Sequence, residues 1–326
     1  MISEFPTTEF NKTLRRWFRG NGRNLPWRPH PSAYEVLVSE FMLQQTTVAA
    51  VIPYFHRWML RFPDIHALAS APEADVLKHW EGLGYYSRAR NLHRAAQVVD
   101  KNFSGHIPSD FSLLRTLPGI GPYTAAAIAA FAFDQCLPVL DANIARVIAR
   151  LFNYQENIST SSGRKFLEQA ATSLLPQSGG RSHASALMDL GATICRSGEP
   201  DCPACPLQRF CLAENPATIP VKPPKKEITQ LSDWRIFSSA DEMVYLIESP
   251  GPTWKGLWLL PPGNPSDKPL LSLTYTITRY KVALGVYEAN PEAGWTAFPL
   301  SKLPAMPSPH RKALAAILKM GLKKES

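Results

Sequence analysis

The segment "LPGIGPYTAAAIAAF", from Leu117 to Phe131, constrains the fold more than any other part of the chain. Gly119 and Gly121 are spaced G-x-G, a proline follows, and small residues then fill nearly every position of a helix. A glycine-rich turn feeding a helix N-terminus points backbone N–H groups at an anion. A dinucleotide site needs a third glycine in a turn that follows a strand. That glycine is missing here, and the preceding "DFSLLRT" reads as helix or irregular chain. No GxxxxGK[ST] motif is present either. What remains is a helix-hairpin-helix module, whose amides at Gly119 and Gly121 hold DNA phosphates without reading sequence. The plain alternative is an ordinary turn between two helices.

The surroundings of this hairpin are helical. From Asn11 to about Leu212, apolar residues recur at helical spacing, as in "SAYEVLVSEFMLQQTTVAAVIPYF", "SRARNLHRAAQVVDKN", "NIARVIARLF" and "HASALMDLGATI". Short Pro/Gly turns separate the helices. The texture changes at Pro216, where "PATIPVKPPKKE" reads as an extended linker. After it come β-branched and aromatic runs, "RIFSS", "EMVYLIES", "LTYTITRYKVALGVYEA" and "GWTAFPL", and a closing helix, "SPHRKALAAILKMG". The expected organisation is a mainly α domain over residues 1–215, a linker over 216–229, and a small α+β domain over 230–326.

The formal net charge of +8 favours a polyanionic partner. "MISEFPTTEF" lacks the apolar stretch of a signal peptide, and no run is long and apolar enough to span a membrane. An intracellular, cytoplasmic, DNA-associated protein is therefore expected, with no membrane partner.

Cys195, Cys202, Cys205 and Cys211 follow the spacing C-x6-C-x2-C-x5-C. Four thiols so clustered, in the polar, Pro-rich stretch "RSGEPDCPACPLQRFC", read as a metal site rather than as core cysteines. Zinc usually takes paired C-x2-C knuckles, and a [4Fe–4S] cluster also takes four thiolates; spacing alone leaves both open. Cys136, in "FDQCLPVL", reads as a buried free thiol.

Two carboxylates stand out. Glu40, in "VSEFMLQQT", sits in an apolar helix beside Val38, Phe41 and Met42. Desolvation there raises its pKa and suits a general acid. Asp141, in "PVLDANIARV", follows an apolar run and opens a helix, so by itself it reads as an N-cap. Trp27 and Arg28, in "NLPWRPHP", precede the Glu40 helix as a stacking surface and an anion or base contact would.

At this point the chain resembles a family. The segments "LPWR", "SEFMLQQT", "GLGYYSRARNLHRAA", "LPGIGPYTAAAI", "VLDANIARV" and "ALMDLGATICRSGEPDCPACPLQRFC" resemble the MutY-type A/G-specific adenine DNA glycosylases. These belong to the endonuclease III superfamily of helix-hairpin-helix glycosylases. The resemblance runs from about Phe10 to Cys211, and a weaker likeness to the family's MutT-like (Nudix-like) C-terminal domain runs from about Leu231 to Leu318. It implies a [4Fe–4S] cluster on the loop 195–211.

The resemblance also implies roles. Glu40 matches the acid that protonates adenine and then activates water. Asp141 matches the carboxylate that stabilises the oxocarbenium ion. Tyr123 and Asn143 match the residues that orient these groups, and Arg28 matches a contact to the extruded adenine. Gln45 and Tyr85 match side chains that fill the vacated stack, with Gln44 and Thr46 beside Gln45 on the DNA-binding segment. Endonuclease III enzymes carry a lysine two residues after the second hairpin glycine. Tyr123 stands there in this chain, and no lysine occurs between Lys101 and Lys165. A monofunctional glycosylase is implied, which removes the base and leaves the strand intact.

Some positions depart from the family. Ala142 replaces a usual glycine, and Ser185 stands where Glu or Gln is usual at the adenine. The family reads 8-oxoguanine with a Phe-Ser-His loop. Here Ile277, Thr278 and Arg279 align with it, so Thr278 keeps a hydroxyl and Arg279 replaces the histidine. "WKGLWLLPPG", with Trp254, Gly256, Trp258 and Pro261, resembles a core strand of the MutT-like domain. The expected partner is double-stranded DNA containing A:8-oxoG or A:G mispairs, bound by a monomer. The competing readings are a thymine glycosylase acting on T:G mismatches and a non-catalytic DNA-damage-binding protein. Every catalytic residue precedes the linker, so the helical domain is expected to excise adenine alone.

Overall fold

The computed structural model describes residues 4–28, 31–221, 227–265 and 268–322, so residues 222–226 of the expected linker lie outside the described residues. The chain divides into two compact units: Met1–Ala69 with Arg94–Pro224, and Ser70–His93 with Lys225–Ser326. Residues 70–93 thus associate with the C-terminal part of the chain although they precede the linker.

The first unit is helical. It contains α1 (Thr7–Asn21), α2 (Ala33–Leu43), α3 (Val48–Arg61) and α4 (Ile65–Ala69). The second unit supplies α5 (Glu73–Trp80), and α6 (Ser87–Phe103) begins in the second and ends in the first. The first unit continues with α7 (Phe111–Leu114), α8 (Pro122–Phe133), α9 (Ala142–Leu151), α10 (Ser161–Ser173) and α11 (Gly180–Thr193). The core gathers Phe10 and Leu14 from α1, Ala127 and Ala130 from α8, Ile148 from α9 and Leu190 from α11.

Composition explains the centre of this bundle. Every residue of α8 from Thr124 to Ala130 is buried, and the small side chains let α2, α7 and α11 close in around it. α2 is also buried on all sides, from Val36 through Met42. The continuous helix suggested by "SAYEVLVSEFMLQQTTVAAVIPYF" is interrupted. α2 ends at Leu43, Gln45 takes a left-handed conformation (φ 57°), and Thr47 caps α3 by accepting the Ala50 N–H at 3.4 Å. Thr47 supplies the cap that apolar periodicity does not register.

The second unit is α+β. A three-stranded sheet has the order β1 (Thr229–Phe237), β6 (Tyr280–Glu288), β5 (Leu271–Ile277), with β1 parallel and β5 antiparallel to β6. In the other sheet, β3 (Met243–Glu248) pairs with β2 (Ser239–Ala240), β4 (Trp258–Leu259) and β7 (Thr296–Pro299). Its core includes Phe237, Leu246, Leu284 and Val286, with Leu314 from α12 (Ser308–Leu322). The strand expected over "WKGLWLLPPG" is mostly not strand. Trp254 lies in a 3-10 turn, Gly256 is left-handed (φ 73°), and only Trp258 and Leu259 pair in β4. Pro261 is buried just beyond it. Among the described residues no helix is long and apolar enough to cross a membrane.

Candidate active site

A cleft of about 860 Å³ opens in the first unit, lined from the loop before α2, the end of α2, and the starts of α8, α9 and α11. Glu40 stands at its floor. A capping box fixes where α2 begins: Glu35 N–H donates to Ser32 Oγ at 3.1 Å, and Ser32 N–H donates to Glu35 Oε2 at 2.7 Å. Two turns later Glu40 is only 5% exposed among apolar neighbours. Burial raises its pKa to about 7; a hydrogen bond with Tyr123 opposes the shift and the Asp141 charge adds to it. Tyr123, on the first turn of α8, has a phenol pushed well above its ordinary range by burial and by the Glu40 and Asp141 charges. It therefore keeps its proton and donates.

Asp141 is the N-cap of α9, as its sequence position suggested, and it also lines the cleft. Its Oδ1 accepts the Ile144 N–H at 2.7 Å, and its Oδ2 accepts Asn143 Nδ2 at 2.9 Å. Asp141 thus caps α9 and lines the cleft at once, so the two readings are compatible. The Asn143 amide orientation follows from its other partner. Arg146 only donates, so Asn143 Oδ1 accepts from Arg146 Nη2 at 2.9 Å, and Nδ2 is left to face Asp141. Arg146 also bonds the carbonyls of Gly191 (2.7 Å) and Cys195 (2.8 Å), which fastens the start of α9 to the end of α11.

Arg28 lines the cleft with both terminal nitrogens engaged. Nη1 and Nη2 donate to Asp189 at 2.7 and 2.8 Å. Arg23 adds its backbone N–H at 2.8 Å and Nε at 2.7 Å to the same carboxylate. Asp189 is fully buried. Burial alone would raise its pKa, but the hydrogen bonds and charges of Arg28 and Arg23 hold it below the usual carboxylate range. Trp27 is packed edge-on against Phe55, with ring centroids 5.3 Å apart, and still lines the cleft. Ser185 is buried at the cleft wall, and Gln44, Gln45 and Thr46 line it where α2 breaks off.

Gly119 takes φ 76°, a left-handed conformation that favours glycine. Gly121 caps α8 in extended geometry, and a Cβ built there meets nothing within 4 Å. Packing inside the protein does not require a glycine at that position.

Tyr85, Thr278 and Arg279 belong to the second unit. Tyr85 is 46% exposed with φ 46°. Thr278 (φ 52°) and Arg279 form the two-residue turn joining β5 to β6, and the Arg279 carbonyl accepts the Thr229 N–H at 3.0 Å.

The four clustered thiols lie on the loop after α11. Burial pushes the Cys205 thiol up to about 11, a Leu207 N–H opposes this, and the charges of the other three cysteines add to it. Arg150, 2% exposed, ties the loop down by donating to Cys195 Sγ (3.3 Å) and to the carbonyls of Arg196, Gly198 and Ile219. Among the described residues, no three His, Cys, Asp or Glu side chains are grouped so as to hold a metal ion. Four thiols are the donor set that either a [4Fe–4S] cluster or a zinc ion takes. Cys136 stands apart from the four and is half-buried.

Asp189, Arg23, Arg146 and Arg150 were not singled out in the sequence. Asp189 carried the same signal as Glu40, a carboxylate in an apolar helix ("ALMDLGA"). The arginines carried none, because the Asp189 carboxylate and the carbonyls of Gly191, Cys195, Arg196, Gly198 and Ile219 that they reach are distant in sequence.

Residues 38–173 match the HhH-GPD superfamily of base excision DNA repair proteins. Over 269 residues the chain is 35% identical to the adenine DNA glycosylase of Buchnera aphidicola subsp. Acyrthosiphon pisum, covering 81% of this chain and 77% of that one. The chain belongs to the adenine DNA glycosylase family. The enzyme of that name from Mycolicibacterium smegmatis is 43% identical over 195 residues, 60% of this chain and 66% of its own. Among solved structures, a thermostable thymine-DNA glycosylase superposes with a TM-score of 0.58 at 28% identity, covering 63% of this chain and 95% of that one. An endonuclease III in a non-covalent complex with DNA shares the fold, with a TM-score of 0.53 at 21% identity over 64% of this chain and 96% of its own.

Proposed function

We propose that this chain is a monofunctional glycosylase that hydrolyses the N-glycosidic bond of adenine mispaired with 8-oxoguanine or guanine in duplex DNA. The observation that carries the reading is Glu40, buried beside Tyr123 and Asp141 at the floor of the cleft with a pKa raised to about 7. A carboxylic acid of that strength is protonated in a useful fraction of molecules near neutrality and can give its proton to a purine. In the proposed reaction, adenine extruded from the stack enters the cleft beside Arg28, Trp27 and Ser185. Glu40 protonates a ring nitrogen, the bond from the sugar to the base breaks, and its electron pair leaves with adenine. The Asp141 carboxylate, held by Asn143, faces the positive charge that develops on the sugar. Glu40, now ionised, takes a proton from the attacking water. Tyr123 occupies the place of the lysine that strand cleavage would need, so the strand stays intact.

The hairpin at Gly119 and Gly121 is proposed to meet the phosphate backbone, where the open space at Gly121 admits it. Cys195, Cys202, Cys205 and Cys211 are proposed to hold a [4Fe–4S] cluster. When bound, it supplies four thiolate–iron bonds that cross-link the loop. The second unit is proposed to be MutT-like and to read 8-oxoguanine through Thr278 and Arg279, with Tyr85 and Gln45 filling the vacated stack. The enzyme is proposed to act as a monomer.

Single-turnover excision on duplexes bearing A:8-oxoG, A:G, A:C and T:G, with alkali added to cut abasic products, tests the reading. Adenine release from the first two, without strand cleavage before alkali, is expected. Release of thymine from T:G alone, or duplex binding without excision, overturns it.

A further inference from the structure

The turn that presents Tyr85 is held from both ends by a single strip of the chain, residues 304–311. On its N-terminal side stands Glu81, the C-cap of α5. Glu81 Oε1 accepts Arg311 Nε at 2.6 Å and the Met306 N–H at 3.3 Å, and Oε2 accepts Arg311 Nη2 at 3.1 Å. On its C-terminal side, Tyr86 is 3% exposed and donates its hydroxyl to the Met306 carbonyl at 3.0 Å. Between these anchors the turn is internally braced. Arg88 Nη2 donates to the carbonyls of Leu83 (3.0 Å) and Gly84 (3.1 Å), and Trp80 Nε1 also donates to Gly84 at 3.0 Å. The left-handed backbone of Tyr85 costs free energy, and such a conformation persists where its surroundings over-determine it.

The strip that grips the turn opens α12, and α12 packs on β5, the strand that runs into the Thr278–Arg279 turn. Glu81 and Arg311 have side chains 15% and 26% exposed, and they pair through two parallel hydrogen bonds. A partly buried, two-pronged pair of this kind fixes geometry in a way an exposed pair does not.

We infer that Glu81 and Arg311 are positioning residues for Tyr85: their ion pair makes the stack-filling side chain part of the same packed unit as the β5–β6 turn, so lesion contact and stack filling are delivered together. The inference rests on the proposed role of Tyr85 in filling the vacated stack.

The test uses the full-length protein with Arg311→Glu, Glu81→Arg, the double charge swap, Tyr85→Ala, and Tyr85→Ala combined with Arg311→Glu. Stopped-flow fluorescence of 2-aminopurine placed beside the target adenine reads extrusion, and single-turnover excision is followed in parallel. Arg311→Glu is expected to slow extrusion by on the order of tenfold, the double swap to recover most of that loss, and Arg311→Glu to add nothing in the Tyr85→Ala background. If Tyr85→Ala slows extrusion while folded Arg311→Glu leaves it unchanged, or if the two losses multiply, the inference is overturned and the role of Tyr85 stands. If Tyr85→Ala leaves extrusion unchanged, the stack-filling role fails and the inference falls with it. Circular dichroism checks folding. Should Arg311→Glu not fold, Arg311→Met keeps the side-chain stem, removes the charge, and enters the same cycle with the same expectations.

Discussion

Glu40 carries a conflict between stability and activity. Its folded pKa, about 7, lies above its ordinary value of 4.5 because burial penalises the charged form. A group with a raised folded pKa contributes stability that is fully present below its unfolded pKa and is lost as pH rises through the folded one. The protein should therefore lose stability between about pH 4.5 and 7 through this residue, and the proton needed for catalysis leaves the folded protein as pH rises through about 7. Glu40→Gln keeps the shape of the neutral acid and removes both effects. It is expected to abolish adenine excision while retaining duplex binding. It should also stabilise the protein by about 1–3 kcal/mol at pH 8 and change little at pH 4.5. Urea denaturation at the two pH values, alongside single-turnover excision, checks this. Appreciable excision by the variant, or equal stabilisation at both pH values, rules out a buried, proton-holding Glu40.

At the scale of elements, the site depends on how closely α9 approaches α11. A Cβ added to Gly191 would sit 2.8 Å from the Asn143 Cβ and 3.1 Å from the Asn143 carbonyl oxygen, too near for either to stay in place. Gly191→Ala is expected to push the first turn of α9 away and loosen the Asn143–Asp141 bond. The stability cost should be about 1–3 kcal/mol, with excision falling tenfold or more. Thermal melts set against single-turnover rates separate the two, and a rate loss that merely tracks unfolding would dismiss the positioning role. The loop after α11 gives a second expectation. Purified protein should be brown and carry roughly four irons per chain, read by visible absorbance and iron analysis; stoichiometric zinc without iron would replace the cluster with a single ion. Much of this architecture was legible beforehand. The period of apolar residues showed the helices, the β-branched runs showed the strands, and Glu40 announced itself as a carboxylate among Val38, Phe41 and Met42. The break between α2 and α3 was not legible, because it depends on a Thr47 cap inside an apolar run. The Asp189 pairs with Arg23 and Arg28, and the reach of Arg146 from Asn143 to Cys195, were hidden for another reason: they join residues far apart in sequence, which no local pattern encodes.

At the scale of the whole molecule, the order of the chain and the order of its packing disagree. Glu40, Tyr123, Asp141 and Asn143 all precede the linker, and from sequence alone a protein ending there should keep its chemistry. Residues 70–93, however, pack with the C-terminal unit. Truncation before the linker removes the Met306 carbonyl that Tyr86 donates to, the Arg311 partner of Glu81, and the Lys255 carbonyl that accepts from Arg90. Tyr86 is buried in the intact protein, and Glu81 nearly so; both would face water, with Glu81 stripped of Arg311. Losing buried apolar contact and a partly buried ion pair together should destabilise this segment by several kcal/mol, about 1.5–3 of it from the ring alone. The truncated protein is therefore expected to lose excision on A:G as well as its preference for A:8-oxoG, and to show faster amide exchange over residues 80–90 than the full chain. Hydrogen exchange read by mass spectrometry, with excision rates on both duplexes, makes the comparison. A truncated protein that keeps full A:G activity and unchanged protection over 80–90 would show that the segment stands without the C-terminal unit, and that the tie described here contributes nothing to the catalytic half.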